Sequence, residues 1–187
     1  MGVAMERDGD ERVRPEEELA ALDRRFADEL RAEQAAYEEL AATDRLRRRD
    51  LGDVALELVH RGDKVAVTIG AATYAGVLVH AAGDLACLRT AVADVDLNLS
   101  AGPLLRVVET VRSGGSPSRR GARSFKARLR EHEALSSSVE LGGAALPDGL
   151  RARVAAVATD HVLALDPAGA TWIVPLVGLA YVAASRG

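Results

Sequence analysis

GDKVAVTIGAATYAGVLVHAAGDLACL, residues Gly62–Leu88, reads as three short strands folded back on one another by glycine-marked turns. Val65, Val67 and Ile69 alternate with Lys64, Ala66 and Thr68, the period-2 pattern of a half-buried strand. Gly70-Ala71-Ala72-Thr73 turns the chain into a second strand over Tyr74–His80. Gly76 inside that strand predicts a bend or the close approach of another backbone. Ala82-Gly83-Asp84 turns again into a third strand over Leu85–Thr90.

Downstream, Val95, Leu97 and Leu99 alternate with Asp94, Asp96 and Asn98, a fourth strand with one polar face. Pro103 separates it from a fifth, Leu104–Val111. Five strands of about five residues each suit a small bent barrel better than a flat hairpin. Upstream, Leu51–His60 fits a short helix stopped by Gly62. Before it, Pro15 and Glu16, Glu17 and Glu18 favour a helix start. Leu19, Leu22, Phe26, Leu30, Tyr37 and Leu40 then recur at helical intervals. Arg45-Leu46-Arg47-Arg48-Arg49 closes this helix with positive charge, as the helix dipole prefers. Residues 1–14 are polar and unpatterned, the composition of a disordered terminus.

The second half repeats the pattern. Ser113–Arg123, SGGSPSRRGAR, has the composition of a flexible linker. Ser124 caps a helix from Phe125 to about Ala134. Strand-like runs follow at Val139 and Leu141, Leu150–Ala158, His161–Leu165, Thr171–Val174 and Leu179–Ala184. Pro147-Asp148-Gly149 and Asp166-Pro167-Ala168-Gly169 are the turn signals between them. Without a gap, GVLVHAAGDLACL from Gly76 matches RVAAVATDHVLAL from Arg153, with Val77 over Val154 and Leu88 over Leu165. The domains expected are therefore a disordered 1–14, a helical arm 15–49, a first module 50–112, a basic linker 113–123 and a degenerate second module 124–187.

The composition narrows the function classes. Aromatic residues make up only 3% of the chain, so the core is aliphatic, and no aromatic residue is spare for base stacking. A single cysteine, Cys87, excludes an intrachain disulfide and a multi-cysteine metal site, and its apolar neighbours predict a buried, inert thiol. No apolar run reaches the ~20 residues of a membrane helix, and the charged N-terminus lacks a signal-peptide core, so a cytoplasmic protein with no membrane partner is expected. No HExxH, GxxxxGK, GxSxG, or GxGxxG after a strand occurs. His60, His80, His132 and His161 are scattered. His80 and His161, near Asp84 and Asp160, read as turn residues, with no nucleophile or metal nominated beside them. No enzyme activity, catalytic residue, cofactor or metal is expected.

Charge nominates the one site. Residues 1–59 carry 10 basic and 17 acidic side chains, whereas residues 111–135 carry 7 basic and 2 acidic. Arg119, Arg120, Arg123, Lys126, Arg128 and Arg130 combine a basic arm with a helix. Arg123, Lys126 and Arg130 share one helical face, with Phe125 and Leu129 on the inner side. Such a set would neutralise phosphates of RNA or DNA with little sequence selectivity. The alternative is a protein-interaction module in which residues 15–49 assemble copies or hold a partner, with no nucleic-acid binding.

The helix followed by five bent strands resembles the Sm-like fold, an SH3-type barrel. Tyr74–Leu85, YAGVLVHAAGDL, resembles the first Sm motif through Gly76 and Asp84, with Cys87 and Leu88 where the family has an asparagine. Leu104-Leu105-Arg106-Val107 is similar to the second motif but lacks its glycine, and Arg153 replaces the family glycine in the second half. Through HRGDKVAVTIG, VHAAGDLACLRT and GARSFKARL, the chain also looks like a group of actinobacterial proteins, some labelled Fis-family transcriptional regulators. That label implies a helix-turn-helix, whereas the basic region has room for one short helix. The resemblance implies a mostly β fold with α: an N-terminal helical arm, then two tandem five-stranded Sm-like barrels, each preceded by a short helix, in a nucleic-acid-associated regulator.

Overall fold

A computed structural model describes residues 15–111, 114–117 and 121–186. The chain divides into two compact units, Met1–Arg48 and Arg49–Gly187. The first holds one long helix, α1 (Pro15–Arg47), with Arg45 and Arg47 in its last turn as the dipole favours. The expected disordered terminus at 1–14 lies outside the described residues.

The second unit begins with α2 (Leu51–Arg61). Asp50 and Asp53 close its start reciprocally: the Asp50 carboxylate accepts from the Asp53 N–H at 2.8 Å, and Asp53 accepts from the Asp50 N–H at 3.2 Å. Gly62 ends it in the left-handed conformation, φ 74°, where a side chain would be strained. Five strands follow: β1 (Lys64–Ile69), β2 (Ala72–Ala82), β3 (Leu85–Arg89), β4 (Ala93–Asn98) and β5 (Leu104–Glu109). The order then repeats as α3 (Phe125–Leu135), β6 (Ser138–Gly143), β7 (Leu146–Val157), β8 (His161–Leu165), β9 (Thr171–Pro175) and β10 (Tyr181–Ser185). A single 3-10 turn lies between β4 and β5, and another between β9 and β10.

The expected pair of separate five-stranded barrels does not form. All ten strands make one open antiparallel sheet in the order β5-β1-β2-β3-β4-β10-β6-β7-β8-β9. The reason is the seam. β10 pairs with β6 on one side and with β4 on the other, Tyr181 opposite Leu97 through Ser185 opposite Ala93. The β4 edge that would close the first barrel is satisfied by the second half instead.

The cores are shared for the same reason. β3 is buried on both faces: Leu85 and Cys87 join a cluster with Phe125, Leu129, Val154 and Val182, whereas Ala86 and Leu88 join one with Leu58, Val67, Leu97 and Tyr181. Each cluster draws residues from both halves. α2 packs on β2 and β3; α3 packs on β7 and also reaches β3 and β4.

The ladders correct two details of the sequence match. Leu78 pairs with Leu88, as Val154 does with Ala164, and each pair is followed by a one-residue bulge, at Val79 and at Ala155. Leu78 is therefore the counterpart of Val154, one residue away from the gapless match, and in a strand one residue exchanges the two faces. Pro147-Asp148-Gly149 is not a turn between strands but lies within β7. Its residues fall where the ladder breaks, between Leu146 opposite Gly143 and Leu150 opposite Leu141, so Pro147 owes the ladder no N–H. The prediction for Gly76 holds: a Cβ there would overlap the Arg89 carbonyl of β3.

Candidate functional site

The basic residues do not form one outward face. Phe125 and Leu129 are buried and hold α3 down, as their spacing predicts. Arg123 and Arg130 are exposed. Lys126 donates from Nζ to the Thr159 carbonyl at 2.9 Å. Arg128 is turned inward, with its Nε 3.3 Å from Asp96 Oδ1 and its terminal nitrogens on Glu131 and on Cys87 Sγ, at 2.5 and 3.3 Å. Arg119 and Arg120 lie outside the described residues. The described parts of the linker are tied to the first half. The Gly115 N–H donates to the His60 carbonyl at 2.8 Å, and His80 Nε2 donates to the Ala122 carbonyl at 2.8 Å.

Asp84 does not pair with His80; its Oδ1 accepts from the Phe125 N–H at 2.9 Å and so caps α3 alongside Ser124. A carboxylate at a helix N-terminus meets the positive end of the dipole and a donor with no intrahelical partner. His161 instead binds its chain neighbour Asp160, 2.7 Å from Nδ1 to Oδ1. That hydrogen bond holds the Asp160 carboxyl below its ordinary value. The two histidines thus serve separate anchors.

Charge chemistry is concentrated where α3 crosses β3 and β4. Buried Asp96 receives His132 Nε2–H at 2.8 Å beside the Arg128 guanidinium. On the far side of the ring, Nδ1 lies 3.3 Å from Ser137 Oγ, just past the left-handed C-cap Ser136. Cys87 sits opposite Asp96 in the β3–β4 ladder. Burial pushes its thiol well above the ordinary range, with Asp96 adding to the rise and Arg128 opposing it. A thiol so shifted is a poor nucleophile. The Asp96–His132–Ser137 chain has the order of a relay, yet its aspartate and histidine are enclosed between the sheet and α3. It fastens α3 of the second half to β4 of the first.

A second polar group lies on the opposite side of the seam. Tyr181 donates to Glu140 Oε1 at 2.9 Å and Tyr74 to the same oxygen at 3.4 Å, the two rings edge to face at 5.2 Å. Tyr74 and Glu140 line a groove of about 430 Å³ together with Val92 and Arg151. Burial raises the Tyr181 phenol above its usual range.

Compared with protein families, with curated proteins and with solved structures, the chain matches none.

Among the described residues, no group of three or more His, Cys, Asp or Glu side chains is placed to hold a metal ion. No described helix is long and apolar enough to cross a membrane. The apolar positions of α1 are solvent-facing: Leu19, Leu22, Phe26, Leu30, Tyr37 and Leu40 are all exposed. They follow a period nearer 3.6 than 3.5, a straight stripe without the drift of a supercoil. Sequence reasoning missed the Asp96–Arg128–His132 cluster. The available signal was Asp96 on the polar face of a strand otherwise fit for burial, together with Arg128 and His132 at four-residue spacing on α3.

Proposed function

We propose that the chain is a non-enzymatic protein-interaction module, in which α1 presents an apolar stripe to a partner protein and the ten-stranded unit is its scaffold. The observation that carries this reading is the run of large exposed apolar side chains from Leu19 to Leu40. Scattered apolar residues on a surface are ordinary, whereas large apolar side chains aligned on one helix face, here interrupted at Glu33, are the form that helix-in-groove recognition uses. The full chain and its Phe26→Asp, Leu30→Asp variant, compared as baits, test it. A protein retained by the native chain and lost from the variant supports the reading. Identical recoveries overturn it.

The exposed Arg123 and Arg130 favour a second reading, binding to an RNA or DNA backbone. With Arg128 turned inward and Lys126 bonded to the Thr159 carbonyl, this reading has fewer outward cations than the basic stretch suggests. Retention on pooled nucleic acid that falls steeply with salt, and falls again in Arg123→Ala, Arg130→Ala, would support it. No retention at low salt would remove it. The resemblance to actinobacterial regulators, and a cytoplasmic location, stand as parts of this second reading.

A further inference from the structure

From the way the two halves join, we infer that the ten-stranded unit binds a second copy of itself head to tail, the β9 edge of one copy pairing with the β5 edge of the next. This inference does not depend on α1. The chain contains its own template in the β4–β10 seam. Matching ladders make β9 the counterpart of β4: Asn98 lies opposite Leu85, and Pro175 opposite His161. They likewise make β5 the counterpart of β10, since Arg106 lies opposite Ala66 as Ala183 lies opposite Glu140. Inside the chain β4 and β10 pair with each other. Their counterparts β9 and β5 are the two ends of the sheet, and among the described residues neither has a strand paired on its outer side.

The side chains on these edges suit pairing. Tyr181, which enters the core of the neighbouring half, corresponds to Leu104, and Leu104 is 67% exposed. Asp96, covered by α3, corresponds to Ile173, which is 69% exposed. With the helices aligned at their N-caps, Asp50 and Ser124, Arg128 corresponds to Val54 and His132 to Leu58. The polar lock Asp96–Arg128–His132 thus becomes Ile173 facing Val54 of the next copy, which is 37% exposed, beside Leu58, which is already buried in that copy's own core. Repeating the internal register sets Ile173 opposite Leu105 of that copy, and Thr171 opposite its Val107.

One position works the other way. In the seam, the Asn98 N–H donates to the Ala180 carbonyl and Asn98 Nδ2 to the Leu179 carbonyl. Pro175 replaces Asn98 and can make neither bond. The contact between copies is therefore weaker than the seam, and it dissociates on dilution. Because the two surfaces differ, the pairing is heterologous and extends to a ring or an open array.

The test uses the full chain. Light scattering across a dilution series should show masses above the monomer at high concentration, and Ile173→Arg should return the chain to monomer with its circular dichroism unchanged. A mixture of Thr171→Cys copies and Val107→Cys copies should form a mixed disulfide dimer on oxidation, whereas Thr171→Cys with Val108→Cys should form much less. A chain that is monomeric throughout, with no mixed dimer, overturns the inference. So do multimers that persist in Ile173→Arg without the Thr171–Val107 cross-link, an outcome that assigns assembly to α1.

Discussion

Asp96 is the residue on which the junction turns. Its two oxygens face His132 and Arg128, and all three side chains are largely removed from water. Removing one member of a buried charge group strands the others. Asp96→Ala is therefore expected to cost about 3–5 kcal/mol in chemical denaturation. Replacing the whole group by its counterparts, Asp96→Ile with Arg128→Val and His132→Leu, should cost less than the single change, because the one carboxylate left without its partner, Glu131, reaches water. A triple variant less stable than Asp96→Ala would contradict that account. Buried titrating groups also lower stability at alkaline pH. The Cys87 thiol and the Tyr181 phenol are raised above 9.0 and 10.0 respectively, chiefly by burial. The unfolded chain releases these protons first, so stability is full below those values and falls as pH rises beyond them. Denaturation midpoints followed between about pH 8 and pH 11 should decline, and Tyr181→Phe should flatten the part above pH 10. Cys87 should also resist thiol reagents until the chain unfolds.

Among the elements, β2 was the most legible and also the most constrained. Its alternation and its glycine are both visible in the sequence, and Gly76 is required because the Arg89 carbonyl occupies the space of a Cβ. Gly76→Ala should destabilise by roughly 1–3 kcal/mol, measured by urea unfolding. An unchanged midpoint would show that β3 yields more readily than a packed strand does. β7 was less legible. Pro147-Asp148-Gly149 has turn composition, yet it sits inside the strand because the ladder breaks there and asks nothing of the proline. α3 was half legible. Phe125 and Leu129 mark its inner face correctly, but Arg128 counts as a surface cation until a buried aspartate is known to wait beneath it.

At the scale of the molecule, the seam makes one body of two similar halves. β3 feeds both cores, and Tyr181 of the second half lies in the cluster of the first. Thermal unfolding of the ten-stranded unit should therefore be a single transition, coincident by fluorescence of Trp172 in the second half and by far-ultraviolet circular dichroism. Two resolved transitions would mean that the halves fold separately and that the seam contributes little. The same logic extends to the edges. A strand pair strong enough to merge two halves within one chain is repeated, in weaker form, at the two free ends of the sheet.

The sequence by itself determined the elements: the helices by their caps and stops, the strands by alternation, and the repeat of a helix with five strands by its spacing. Those are local properties, set by backbone sterics and by the period of apolar residues. Whether the halves close into barrels or join into one sheet was decided only in the tertiary structure. Both arrangements satisfy the same alternation, and the choice depends on which edge offers β4 the better partner. That partner, β10, lies more than eighty residues away along the chain, and no local pattern records it.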